Sequence, residues 1–193
     1  GGLSVHTMDA TTLELSAGRD LPEVRLCDSR ETLIVPAAGS GDKWLLIPQI
    51  VPFDDDLRAE VMSWGASEAH SPSLTIYQLA DAIDVQDNLE QSGYGATLSN
   101  GSPISEPVSF DGYVSFLGYR ELDGGDHSSS PRLLTYWRVE TPPPRQLRTF
   151  AHLIAPSGEV IAQDDGLASP SNRWQVGDIL VQKHVLTPPR GAS

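Results

Sequence analysis

The chain predicts a mainly β protein: an antiparallel β-sandwich of jelly-roll-like form, preceded by a small β-β-α-β unit. Three observations carry that prediction. Four strand-length runs, LLTYWRVE, RTFAHLIAP, EVIAQDD and ILVQKHVL, follow one another between positions 133 and 186, separated by short turns. Pro156, Ser157 and Gly158 form a tight-turn tripeptide between the second and third runs. Seventeen glycines and fifteen prolines suit strands and turns better than helices.

In chain order, residues 1–20 are small and polar and read as a linker or peripheral strand. Residues 21–80 read as the small α/β unit. Its first strand, from Glu31 to Val35, is stopped by Pro36, and its second, from Lys43 to Ile47, is stopped by Pro48. Asp54, Asp55 and Asp56 then open a helix that Gly65 closes, because carboxylates suit the positive end of a helix dipole and glycine suits its C-terminal cap. Leu57, Val61 and Trp64 line one face of that helix. An alternating strand over 73–79 completes the unit. Residues 81–95 are a polar connector with a helical turn expected over 82–91, and 96–193 form the sandwich domain. Within it, Asn100 and Gly101 signal a hairpin, and VSFDGYVSFLGY over 108–119 reads as one long strand.

Composition narrows the function classes. A formal charge of -13, with no clustered Lys or Arg, argues against nucleic acid as a partner, since phosphate contacts need cationic groups. The same charge repels an anionic membrane surface. Cys27 is the only cysteine, which excludes an intrachain disulfide and a cysteine-based zinc site. No apolar run approaches the ~20 residues that span a bilayer, and no signal-peptide pattern opens the chain.

The chemistry-bearing residues form no recognisable catalytic set. The five histidines lack metal-ligand spacing, and no G-x-S-x-G elbow is present. The aspartate triplet at 54–56 is accounted for by helix capping, and the acidic stretches at 123–126 and 164–166 by turn chemistry. No catalytic residue, metal site or cofactor is therefore expected. His152 lies between Phe150 and Ile154 on one strand face and is expected to point inward as a core or seam residue. Tyr136 and Trp137 are adjacent, so one should pack inward while the other reaches the surface. Trp174, in a turn before Gly177, is the other candidate for stacking on a sugar ring, with core packing as the simpler role for each tryptophan.

The order of FLGY (116–119), LLTYWR (133–138), TFAHL (149–153), AQDD (162–165) and WQVGD (174–178) resembles a C-terminal extracytoplasmic β-rich domain of bacterial membrane glycosyltransferases of the mannosyltransferase-like family. Asp28, Ser29 and Arg30 before a strand resemble the small region that follows the last membrane helix in such proteins. The resemblance implies a non-catalytic accessory domain, associated with the cell envelope, whose membrane part and catalytic acids lie outside this chain. A carbohydrate partner is implied, bound or oriented through Trp137, His152, Gln163, Asp164 and Trp174. The alternative is a structural or protein-interaction β module of an envelope assembly. An autonomous hydrolase has the least support.

Overall fold

The protein is described here by a computed structural model covering residues 3–5, 24–37, 43–79, 107–122 and 130–189. Strands β1 (Leu3–Val5), β2 (Val24–Leu26), β4 (Lys43–Pro48), β5 (Ser67–His70) and β6 (Leu74–Leu79) form a first sheet of order β2-β1-β4-β6-β5. Strands β3 (Thr32–Val35), β7 (Val108–Phe110), β8 (Val114–Leu122), β9 (Arg132–Val139) and β12 (Ile179–Val185) form a second, of order β3-β12-β9-β8-β7. Among the described residues, strands β10 (Thr149–Ile154) and β11 (Val160–Gly166) pair only with each other. The protein is mainly β and its sheets are largely antiparallel, as the sequence predicts. The exception is β1, which runs parallel to both β2 and β4.

One core joins the two five-stranded sheets. Alternation in β4 turns Leu45 and Ile47 inward, and alternation in β9 and β12 does the same for Leu134, Tyr136, Ile179 and Val181. Helix α1 (Asp55–Ser63) adds Leu57 and Val61 to this core. Strand β3, from the 21–80 stretch, pairs with β12 over Thr32 to Val35 and supplies Leu33 and Val35. The two stretches read separately in the sequence thus share a sheet and a core. The opposite face of the second sheet is also covered, by a smaller cluster of Cys27, Ile34, Val114, Val139, Trp174 and Leu180.

The aspartate triplet caps α1. The Asp54 carboxylate accepts from the backbone N–H groups of Asp56 (3.0 Å) and Leu57 (3.2 Å). At the other end Gly65, at φ 76°, takes the left-handed conformation that closes a helix. Asp54 and Asp56 also receive the Lys183 ammonium, and Asp56 receives Arg132 at 2.6 Å. Burial alone would lower the Lys183 pKa, but the two aspartates outweigh it and raise it above the ordinary lysine value. Asp54→Ala therefore removes both a cap and half of a charge clamp. Its expected cost is about 1–2 kcal/mol in urea denaturation, and an unchanged midpoint would contradict the capping role.

Two sequence expectations need correction. The run over 108–119 is a hairpin, because Asp111 (φ 50°) and Gly112 (φ 71°) both adopt left-handed backbone and reverse the chain between β7 and β8. Asp164, Asp165 and Gly166 form no turn; they lie in β11, paired with Ala151, Phe150 and Thr149. The expected hairpin at Asn100 and Gly101, the helical turn over 82–91 and the acidic turn at 123–126 lie outside the described residues.

Candidate ligand-binding site

A cavity of about 430 Å³ opens between the outer face of the second sheet and the β10–β11 hairpin. Its floor is Val114, Trp137 and Leu180, all carried on strands whose alternation turns them away from the main core. One wall is the β7–β8 turn, with Phe110, Asp111 and Tyr113; the other is the entry to the hairpin, from Leu147 to Phe150. Leu167 and Trp174 close the back. The local cause of the first wall is the Asp111–Gly112 turn, in which Tyr113 N–H donates to the Phe110 carbonyl at 3.0 Å. The Tyr113 carbonyl in turn accepts from Glu140 N–H at 2.8 Å, which fixes this wall to the end of β9.

Trp137 is the centre of an aromatic group. Its ring lies 5.6 Å from Phe110 and 4.9 Å from Phe116, both tilted, the arrangement that aromatic quadrupoles favour. The indole N–H donates to Thr135 Oγ1 at 3.0 Å, which fixes the ring in place. Trp137 remains half-buried, whereas Trp174 is 3% exposed and donates its N–H to Ser169 Oγ at 2.9 Å. Trp174 is a packed back wall and Trp137 an available surface. The exposed Asp111 carboxylate and Arg148 guanidinium, with the Tyr113 hydroxyl, bring polar chemistry to a largely apolar cavity.

A polar line runs beneath the hairpin from the same tryptophan. Thr135 Oγ1 lies 3.1 Å from His184 Nε2, and His184 Nδ1 lies 3.6 Å from Asp164 Oδ2. The order of hydroxyl, imidazole and carboxylate follows that of a nucleophile, base and orienting acid. However, Thr135 and His184 are both buried, and neither lines the cavity where a substrate would sit. Asp164 Oδ2 is also engaged by Val185 N–H at 2.8 Å. Burial pushes the His184 pKa below the ordinary histidine value, against the opposing pull of Asp164 and Asp165.

The five residues expected from sequence fall in three places. Trp137 and Trp174 line the cavity. His152 and Gln163 are cross-strand partners on the outward face of the hairpin, with Phe150 (66% exposed) and Ile154 (59% exposed). The expectation that His152 points inward is thus corrected: the apolar neighbours that suggested a core face are themselves in solvent. His152 Nε2 instead lies 3.4 Å from Asp165 Oδ1. Asp164 faces the other way, toward His184. Sequence reasoning missed Phe110, Tyr113 and Arg148 for the cavity and His184 for the polar line. A signal existed for His184: alternation places it on the same face of β12 as Leu180, away from the core.

Among the described residues, no group of three or more His, Cys, Asp or Glu side chains is placed to hold a metal ion. No described helix is long and apolar enough to cross a membrane. The chain matches no protein-family model, no curated protein and no solved structure.

Proposed function

We propose that this chain is a non-catalytic binding module whose cavity takes a sugar ring of a glycan or glycan acceptor. The observation that carries the reading is the half-buried Trp137 set against Phe110 at one side of a 430 Å³ cavity with an open, partly polar rim. The C–H face of a pyranose is apolar and packs on an aromatic ring, while its hydroxyl edge needs hydrogen-bond partners. Asp111, Tyr113 and Arg148 supply an acceptor, a hydroxyl and a donor at that rim. The resemblance to the accessory domains of membrane glycosyltransferases adds the setting: outside the cytoplasm, beside a membrane-embedded transferase that would present the sugar. Calorimetric titration with a panel of envelope oligosaccharides tests the reading. Trp137→Ala is expected to weaken binding about tenfold or more, equivalent to ~1.4 kcal/mol. Equal affinity of the variant and the parent chain for a sugar that binds would place the ligand elsewhere.

A second reading is favoured by a different observation. Ile154 and Val160 expose apolar surface on the outward face of the hairpin, away from the cavity lining, which suits a protein-interaction module. Ile154→Glu would then remove an envelope protein partner while leaving sugar binding intact.

A further inference from the structure

We propose that the cavity is built for a dipolar sugar, one that carries an ammonium and a carboxylate, with Asp111 meeting the first and Arg148 the second. The proposal rests on reading the cavity as a sugar site and names the class of sugar it takes. Asp111 and Arg148 stand on its two walls and both are exposed. Among the described residues neither side chain makes a hydrogen bond or an ion pair, with the other or with any third group. Arginines elsewhere find carboxylates, as Arg25 does with Asp178, Arg58 with Glu68, Arg120 with Glu60, Arg132 with Asp56 and Arg138 with Glu140. The chain holds 26 acidic residues against 13 Lys and Arg, so an arginine left without a carboxylate at a cavity rim has its charge available to a ligand. Backbone fixes both positions. Asp111 takes the left-handed conformation (φ 50°) that reverses β7 into β8. Arg148 leads into β10, where the Thr149 hydroxyl donates to the Gly166 carbonyl.

Two unpaired charges of opposite sign select against simpler ligands. A neutral ring laid across the rim takes water from both groups and returns no charge to either. A ring with a carboxylate alone meets Arg148 but faces Asp111 and the field of a chain at -13. A ring with an ammonium alone reverses the difficulty at Arg148. A ring with both groups satisfies both walls. The aromatic side chains favour the same polarity. Phe110 directly precedes Asp111, and its ring lies 5.6 Å from that of Trp137, so an ammonium drawn to Asp111 comes near π faces that attract a cation. On the other wall the guanidinium presents a planar fork of donors, the shape that matches a carboxylate.

Calorimetric titration of the full chain tests this with glucose, glucuronate, glucosamine, glucosaminuronate and the zwitterionic amino acid phenylalanine, each at up to about 10 mM. Glucosaminuronate should bind tightest of the sugars, by about five- to tenfold for each charge it adds, a gain between that of an exposed ion pair and that of a buried charged hydrogen bond. The preference should shrink as salt rises from about 0.05 M to about 0.5 M. Arg148→Gln should abolish the preference for glucosaminuronate over glucosamine, and Asp111→Asn its preference over glucuronate. Position 148 is exposed and asparagine accepts the left-handed backbone of position 111, so both variants keep the fold. Equal affinity for glucose and glucosaminuronate overturns the dipolar site and leaves the sugar reading intact. So does a singly charged sugar that binds as tightly, or a preference that survives both variants. Phenylalanine binding that both variants weaken, with no sugar bound, overturns the sugar reading and keeps the dipolar site. Binding by no probe overturns both.

Discussion

Asp178→Ala is expected to cost about 3–5 kcal/mol of folding stability, seen as a lower urea midpoint with an unchanged slope. Asp178 is 0% exposed and Arg25, on β2 at the edge of the first sheet, is 2% exposed. The guanidinium meets the carboxylate through two bonds, Nε to Oδ2 at 2.6 Å and Nη2 to Oδ1 at 3.1 Å. Asp178 Oδ2 accepts a third from Gln175 N–H at 2.8 Å, which holds the turn that leads into β12. The pair thus pins the first sheet to the entry strand of the second. Truncating the acid removes two bonds from a buried guanidinium and the acceptor of Gln175 N–H, and the desolvation of these donors, rather than the lost attraction, is the larger part of the cost. Replacing both partners together, as Arg25→Met with Asp178→Leu, should recover most of the loss. A single-variant cost below about 1 kcal/mol would show that the pair is hydrated in solution.

Leu134→Ala should cost about 2–5 kcal/mol. Leu134 is fully buried at the centre of the second sheet, packed among residues from both sheets and α1, and a close-packed core refills such a gap only in part. The variant also separates stability from binding. Leu134 faces the main core, whereas Trp137 on the same strand faces the cavity, so a folded Leu134→Ala chain should bind ligand as the parent does. A large loss of affinity at a temperature where the variant is fully folded would mean that the site is not confined to the outer face.

Much of the fold was legible in local pattern. Aspartates before an i, i+4, i+7 stripe marked α1, and alternation marked β4, β9 and β12. The Asp111–Gly112 reversal was hidden because apolar residues on both sides maintain the look of one strand, although the dipeptide is itself a hairpin signal. The pairing of β3 with β12 joins Thr32 to Gln182, and no local pattern reports a contact at that separation. The site was legible only in part for the same reason. Alternation identified that Tyr136 and Trp137 face opposite ways, and Tyr136 is buried while Trp137 stays half open. Which face carries a cavity depends on the β7–β8 turn and the hairpin, two elements that meet Trp137 only in space. His152 misled because a strand that presents apolar residues to solvent has the same sequence pattern as one that buries them.

The most direct test of the central claim is NMR mapping of the chain during titration with a sugar that binds it. Binding in the cavity predicts that the Trp137 indole N–H and the amides of Tyr113, Thr149 and Phe150 shift together and saturate at one concentration. Shifts confined to His152, Gln163 and Val160 on the outward face of the hairpin, with the Trp137 indole unmoved, would contradict it.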